Sequence, residues 1–227
     1  MIGLDGNHEQ ARRFDAQFEA SKPKTKQLWA CVVRSKLEQQ AVTLAFTNKP
    51  FAPVLALSRR IRSGDPDNFE AQGARLYWPL LFGADFRRDQ DAVGANTLLN
   101  YGYTVLRAAM ARAIVAAGLH PTPSLHHSNA GNPMRLADDL MEPFRPSIDR
   151  AVFQIVSTGN AELNPANKKN LVQTLFEDMP TDRGNTPTMA CIQRLATSLA
   201  QVFLGERSSL DLPILRPHSL ASTEATE

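Results

Sequence analysis

One short segment holds most of the residues able to do chemistry. Leu136-Ala137-Asp138-Asp139-Leu140-Met141-Glu142-Pro143-Phe144-Arg145-Pro146 packs three carboxylates into fewer than two helical turns. On a helix, Asp139 and Glu142 stand at i and i+3, and Asp138 and Glu142 at i and i+4, so Glu142 shares a face with either. Like charges so placed repel unless a cation lies between them. An acidic cluster is most often a solvated face. Here the apolar frame of Leu136, Leu140, Met141 and Phe144 draws it to the core boundary, where carboxylates need a partner. His126 and His127 precede the segment, close enough in sequence for an imidazole to fold back toward Asp139 and Glu142. One histidine with two carboxylates suits Mg2+ or Mn2+ better than Zn2+, because hard oxygen ligands and retained waters favour octahedral ions.

Other candidates are weaker by themselves. Glu70 sits among small residues, Ala71, Gly73 and Ala74, which point to close helix approach, but its spacing alone gives only a surface charge. Basic residues cluster as Arg59, Arg60 and Arg62, and again as Arg87 and Arg88, with Arg75, Tyr77 and Trp78 between. Separately each is an ordinary solvated patch; together they are able to follow a phosphate backbone.

Helices must position these groups. Apolar residues recur at helical spacing along the chain, and period-two alternation is hard to find, so the fold class is mainly α. A first long helix is expected over 23–47, with Leu28, Cys31, Val32 and Val42 facing inward. Pro50 and Pro53 open a short helix that Gly64 closes. Asp65-Pro66 then starts a helix carrying Glu70, Arg75 and Tyr77. A long helix over 92–118 ends at Gly118, its apolar face including Leu98, Leu99, Val105, Leu106, Ile114 and Val115. His120 to Pro133 reads as a loop, and helix resumes near Met134, to be kinked or divided by Pro143 and Pro146. Asn164-Pro165 and Thr186-Pro187 start two more helices, the second ending near Gly205. In outline, 1–22 is a linker, 23–206 a helical domain, and 207–227 a tail expected to be disordered.

Composition narrows the class. The 227 residues are 43% hydrophobic, enough for a core, and carry 25 Lys and Arg against 23 Asp and Glu, a balance too mild to announce a nucleic-acid partner unaided. Cys31 and Cys191 are too far apart in sequence for a zinc cluster or disulfide framework, and a reducing cytoplasm is the expected compartment. The residues from Met1 to Gln10 lack the apolar stretch of a signal peptide, and the most apolar later stretch is broken by Arg107 and Arg112, so no membrane association is expected.

Taken in order, Gly64-Asp65-Pro66-Asp67-Asn68-Phe69-Glu70-Ala71-Gln72, Asn96-Thr97-Leu98-Leu99-Asn100-Tyr101-Gly102-Tyr103, His126-His127 and Asp139-Leu140-Met141-Glu142-Pro143-Phe144-Arg145-Pro146 resemble the CRISPR-associated spacer-integration endonuclease, the metal-dependent CRISPR adaptation integrase. The variant is similar to that of type II systems, in the compact II-C subtype, and the resemblance runs from about residue 7 to about residue 205. It implies a multi-helix catalytic domain that follows a β-rich N-terminal domain. This chain starts where that domain is expected to end, near Gly3-Leu4-Asp5-Gly6-Asn7-His8, so the β domain is read as absent or nearly so.

Carried over by position, the resemblance makes Glu70, His127 and Glu142 the catalytic metal ligands for Mg2+ or Mn2+, with Asp139 an additional or alternative ligand. His127 rather than His126 matches the family histidine. The implied activity is that of a DNA endonuclease and integrase of antiviral defence, joining spacer 3′-hydroxyls into the CRISPR repeat by transesterification. Arg59, Arg60, Arg75, Arg87 and Arg88 are the candidate DNA contacts. Implied partners are double-stranded protospacer and repeat DNA, a second copy of the chain, a small second adaptation protein and the RNA-guided effector nuclease. Two rivals stand beside this reading: a truncated, non-catalytic DNA-binding or assembly module of the same complex, and an unrelated metal-dependent hydrolase of small phosphorylated molecules.

Overall fold

The computed structural model describes residues 8–214. Two long helices form its axis. α2 (Lys22–Phe46) is capped by Ser21, whose side chain accepts from Lys24 N, and it is buried on nearly every side through Trp29, Val32, Val33, Leu37 and Leu44. α5 (Ala95–Ala116) buries Leu98, Leu99, Leu106, Met110 and Ile114, whereas Val115, expected inward, is exposed. Around α2 pack α3 (Ala52–Ser58), α4 (Phe69–Phe82) and α7 (Arg145–Ser157); around α5 pack α6 (Arg135–Leu140), α7, α8 (Pro165–Gln173) and α9 (Thr188–Phe203). The mainly α class is as expected.

Glycine permits the closest approaches. A Cβ on Gly73 of α4 would stand 2.3 Å from Cδ2 of Leu37 on α2, and one on Gly102 of α5 would stand 2.4 Å from Cγ2 of Ile148 on α7. Neither position has room for a methyl group.

Several boundaries differ from the sequence reading. Residues 8–18, expected as linker, form helix α1 (His8–Phe18), which packs on α9. α3 ends at Ser58, well before Gly64, and α4 begins at Phe69 rather than at Pro66. Asp65 caps from outside the helix: with φ +48° it turns its carboxylate back to accept Phe69 N at 2.9 Å and Glu70 N at 3.0 Å. A hairpin of β1 (Asp178–Thr181) and β2 (Gly184–Pro187), closed at Thr181↔Gly184, lies where no strand was expected. Thr186 therefore belongs to a strand, and α9 starts at Thr188 without a side-chain cap. Four-residue strands are too short to show alternation, and Pro180 masks the pattern further.

Residues 207–214 are irregular but tied down, by Arg207 to Asp211 at 3.0 Å and by the Ser35 hydroxyl to the Pro213 carbonyl at 3.2 Å. The remainder of the expected tail, 215–227, lies outside the described residues, as do residues 1–7. Among the described residues no helix is long and apolar enough to cross a membrane.

Candidate metal centre

Pro143 divides the acidic segment as anticipated: α6 stops at Leu140, a short 3-10 turn spans Glu142–Phe144, and α7 begins at Arg145. The division sends the three carboxylates in different directions. Asp138 pairs with Arg107 of α5 at 2.6 Å and accepts from Asn132 at 2.5 Å. Asp139 turns to the preceding loop and Glu142 turns to α2.

Asp139 is wholly buried. Its Oδ2 accepts the backbone amides of Leu125 and His126 at 2.6 and 3.0 Å, while Oδ1 accepts His127 N at 3.4 Å and meets His127 Nδ1 at 2.5 Å. Both oxygens are committed, so the carboxylate shapes the loop and fixes the ring. A carboxylate only accepts, so Nδ1 carries a proton, and in the neutral ring the lone pair is on Nε2. That bond is the main reason the His127 pKa is raised; partial burial opposes it, and Glu142 and Glu70 add to it. His126 faces elsewhere, its ring stacked on the Trp29 indole with centroids 4.5 Å apart and planes 2° from parallel.

Glu142 is almost completely buried in the turn, and Glu70 is in the first turn of α4. Both meet Lys36 of α2, whose Nζ lies 2.7 Å from Glu70 Oε1 and 2.6 Å from Glu142 Oε2. The two carboxylate oxygens are thus no further apart than those contacts combined. The contact with Glu70 is a hydrogen bond. That with Glu142 is a close ion pair between buried groups, in which Lys36 offsets the charge of Oε2. Arg145 Nε stands 3.3 Å from Glu142 Oε1. Burial pushes Glu142 upward, yet Arg145, Lys36 and His127 outweigh it and hold the carboxyl below its ordinary range. Burial likewise pushes Lys36 down, and Glu142 with Glu70 reverses that, so its ammonium persists.

Glu70 and Glu142, remote in sequence, are therefore brought together at the Lys36 ammonium, and His127 lies near enough for both to act on it electrostatically. Among the described residues no three acidic, histidine or cysteine side chains stand at metal-ligand separations. Lys36 and Arg145 were missed as site residues from the sequence. For Lys36 a signal existed, a charge between Val33 and Leu37 in the most deeply buried stretch of α2.

Beside His127 an open cleft of about 590 Å³ is lined by Arg88, Arg107, Arg145, Asn100, Tyr103 and Asp138, among others. Arg88 is held there by Asn96 and Asn100, at 3.0 and 2.6 Å. It also borders a second, apolar depression with Arg75, Arg87, Trp78 and Phe86, and of these three arginines only Arg88 also lines the cleft beside His127. Arg59 is exposed just past α3, and Arg60, stacked over Phe69 at 4.7 Å, borders a separate hollow at the start of α4.

The family model described as CRISPR associated protein Cas1 matches residues 68–178. The chain is similar to a CRISPR-associated endonuclease Cas1 from Neisseria meningitidis serogroup C (strain 8013), with 39% identity over 216 residues, covering 92% of this chain and 70% of that relative. Among solved structures, a casposase bound to its integration product superposes with a TM-score of 0.75 at 24% identity, over 95% of this chain and 70% of the other. The chain in a Cas6-RT-Cas1–Cas2 complex superposes with a TM-score of 0.71 at 17% identity, over 90% of this chain and 27% of that one.

Proposed function

The chain belongs to the Cas1 family of CRISPR-associated proteins, and from that membership we propose that it is the helical, metal-dependent part of a DNA endonuclease and integrase of CRISPR adaptation. The observation that carries the reading is the meeting of Glu70, from α4, and Glu142, from the turn before α7, around one cation, with His127 beside them. The residue types suit Mg2+ or Mn2+: two carboxylates that already meet at one cation, and an imidazole engaged by Asp139 through Nδ1 rather than Nε2. Glu70, His127 and Glu142 would hold the ion, and Asp139 serves as the positioning residue for His127. A divalent ion so held supplies Lewis acidity to an attacking 3′-hydroxyl and offsets negative charge at the phosphodiester.

The chain's own groups supply the rest. Arg88, Arg107 and Arg145 line the cleft beside His127 and are placed to contact phosphate oxygens without reading sequence, with Arg75 and Arg87 continuing the path. Arg59 and Arg60 would extend the basic surface at the far side of α4. The names of the relatives and neighbours support endonuclease and integration chemistry and a Cas2 partner; joining spacer ends into the DNA of a repeat by transesterification rests on the sequence resemblance. Assembly as a homodimer and cooperation with the RNA-guided effector nuclease rest on the sequence resemblance alone.

The test is strand joining of a labelled protospacer into a repeat-bearing plasmid, with the small adaptation protein supplied. Glu70→Ala and Glu142→Ala should abolish joining while leaving duplex binding within a few-fold. Joining at the wild-type rate by either variant would remove the ligand assignment.

A further inference from the structure

Lys36 lies on the buried side of α2, its side chain 9% exposed, and its ammonium is the cation between Glu70 and Glu142. An ammonium is strongly hydrated and costly to strip of water, so a lysine in such a place must be repaid by its partners. Here there are two, from separate elements. Without a cation their carboxylates would repel each other across the junction of α2, α4 and the 3-10 turn. Lys36 and Arg145 balance Glu70 and Glu142 one for one. Adding a dication to that balanced set would bring it against an ammonium already bonded to the same oxygens. The two cations cannot share the space. Glu70 is the more open of the two acids, at 24% side-chain exposure against 3% for Glu142, so it is the side from which the ammonium can be exchanged.

Resting on the reading that Glu70, His127 and Glu142 hold a divalent ion, we propose that Lys36 is a tethered substitute cation. It keeps the two glutamates assembled while the metal is absent, and metal binding requires it to leave the gap between them. Metal affinity is then set by competition within the protein as well as by the ligands.

The experiment is calorimetric titration of the full chain with MnCl2 at neutral pH without DNA, together with thermal melts followed by circular dichroism in EDTA and in Mn2+. Lys36→Gln should bind Mn2+ about tenfold or more tightly than wild type, melt at a lower temperature in EDTA, and recover in Mn2+. Lys36→Arg, which keeps a cation in place, should stay near wild type. If Lys36→Gln binds no more tightly than wild type while Glu142→Gln abolishes binding, the substitute-cation role is overturned and the metal reading survives. If neither wild type nor Lys36→Gln binds Mn2+, the metal reading itself fails and takes this inference with it. If Lys36→Gln is unfolded in both buffers, the ion cannot replace the ammonium and the proposal is likewise overturned.

Discussion

His127 Nδ1 lies 2.5 Å from the Asp139 carboxylate, which also accepts the backbone amides of Leu125, His126 and His127. One buried acid thereby sets both the path of the loop and the tautomer of its histidine, so that in the neutral ring Nε2 is the nitrogen with a lone pair to offer.

Asp139→Asn places an NH2 group where only acceptors fit. The variant should lose about 2 kcal/mol or more of stability, because buried amides of the loop go unpaired. Its Mn2+ affinity should fall about 10- to 100-fold, as for other lost supports of a ligating histidine. The His127 pKa, followed by NMR, should drop, since the bond to Asp139 is what chiefly raises it. His126→Ala, which removes only a ring stacked on Trp29, should leave metal affinity near wild type. The reverse ranking in titration would exchange the roles of the two histidines.

Stability should depend on pH through Asp149. This buried acid accepts from Tyr77 at 2.9 Å and from Tyr103, and burial raises its pKa from 3.8 to about 7 against the opposing pull of those two hydrogen bonds. Between those values the folded chain binds more protons than the unfolded one, so stability falls as pH rises from about 4 to about 7 and then levels off. The raised pKa of His127 adds a slope of the same sign only above its ordinary 6.5, so the Asp149 effect is read below about pH 6. Glu38, whose carboxyl burial also raises, adds a slope of the same sign, so urea melts of Asp149→Asn should show a clearly smaller decline than wild type; an equal decline in both would place its source elsewhere.

Gly73→Ala should destabilise by about 1–3 kcal/mol, since the new methyl group must displace the buried Leu37. Leu37 adjoins Lys36, and Gly73 lies one turn from Glu70, so the same change should also weaken Mn2+ binding. Adding Leu37→Ala should return part of the loss, a coupling that a double-mutant cycle measures directly. Strict additivity would mean that the helices do not interlock there.

Arg75→Ala and Arg87→Ala should each weaken duplex binding by a similar factor for all sequences and reduce the slope of log K against log salt by about one. Fluorescence anisotropy across a salt series decides it. An unchanged slope would remove these side chains from the DNA path.

Much of the fold was legible because most of its helices carry local signals. Asn164 caps α8 at Asn167 N, and Pro143 and Pro146 bracket the break between α6 and α7. The hairpin was not, because two four-residue strands with a proline in each have no periodicity to read. In the centre, the residue types of Glu70, His127 and Glu142 could be picked out through resemblance, but their partners could not. Spacing on a helix put Asp139 and Glu142 on one face; the 3-10 turn rotates them apart, giving Asp139 to the loop and Glu142 to α2. Lys36 showed in sequence only as a charge in a buried stretch of helix: its role exists only where α2 meets two elements that follow it far along the chain.

α2 is at once a deeply enclosed helix and the source of the cation between Glu70 and Glu142. Evolution therefore has little freedom to tune the reactive end of the molecule separately from its foundation. A substitution along this helix that loosens the interior will also disturb the acids, and a sequence drifting toward lost chemistry will register that drift as lost heat resistance.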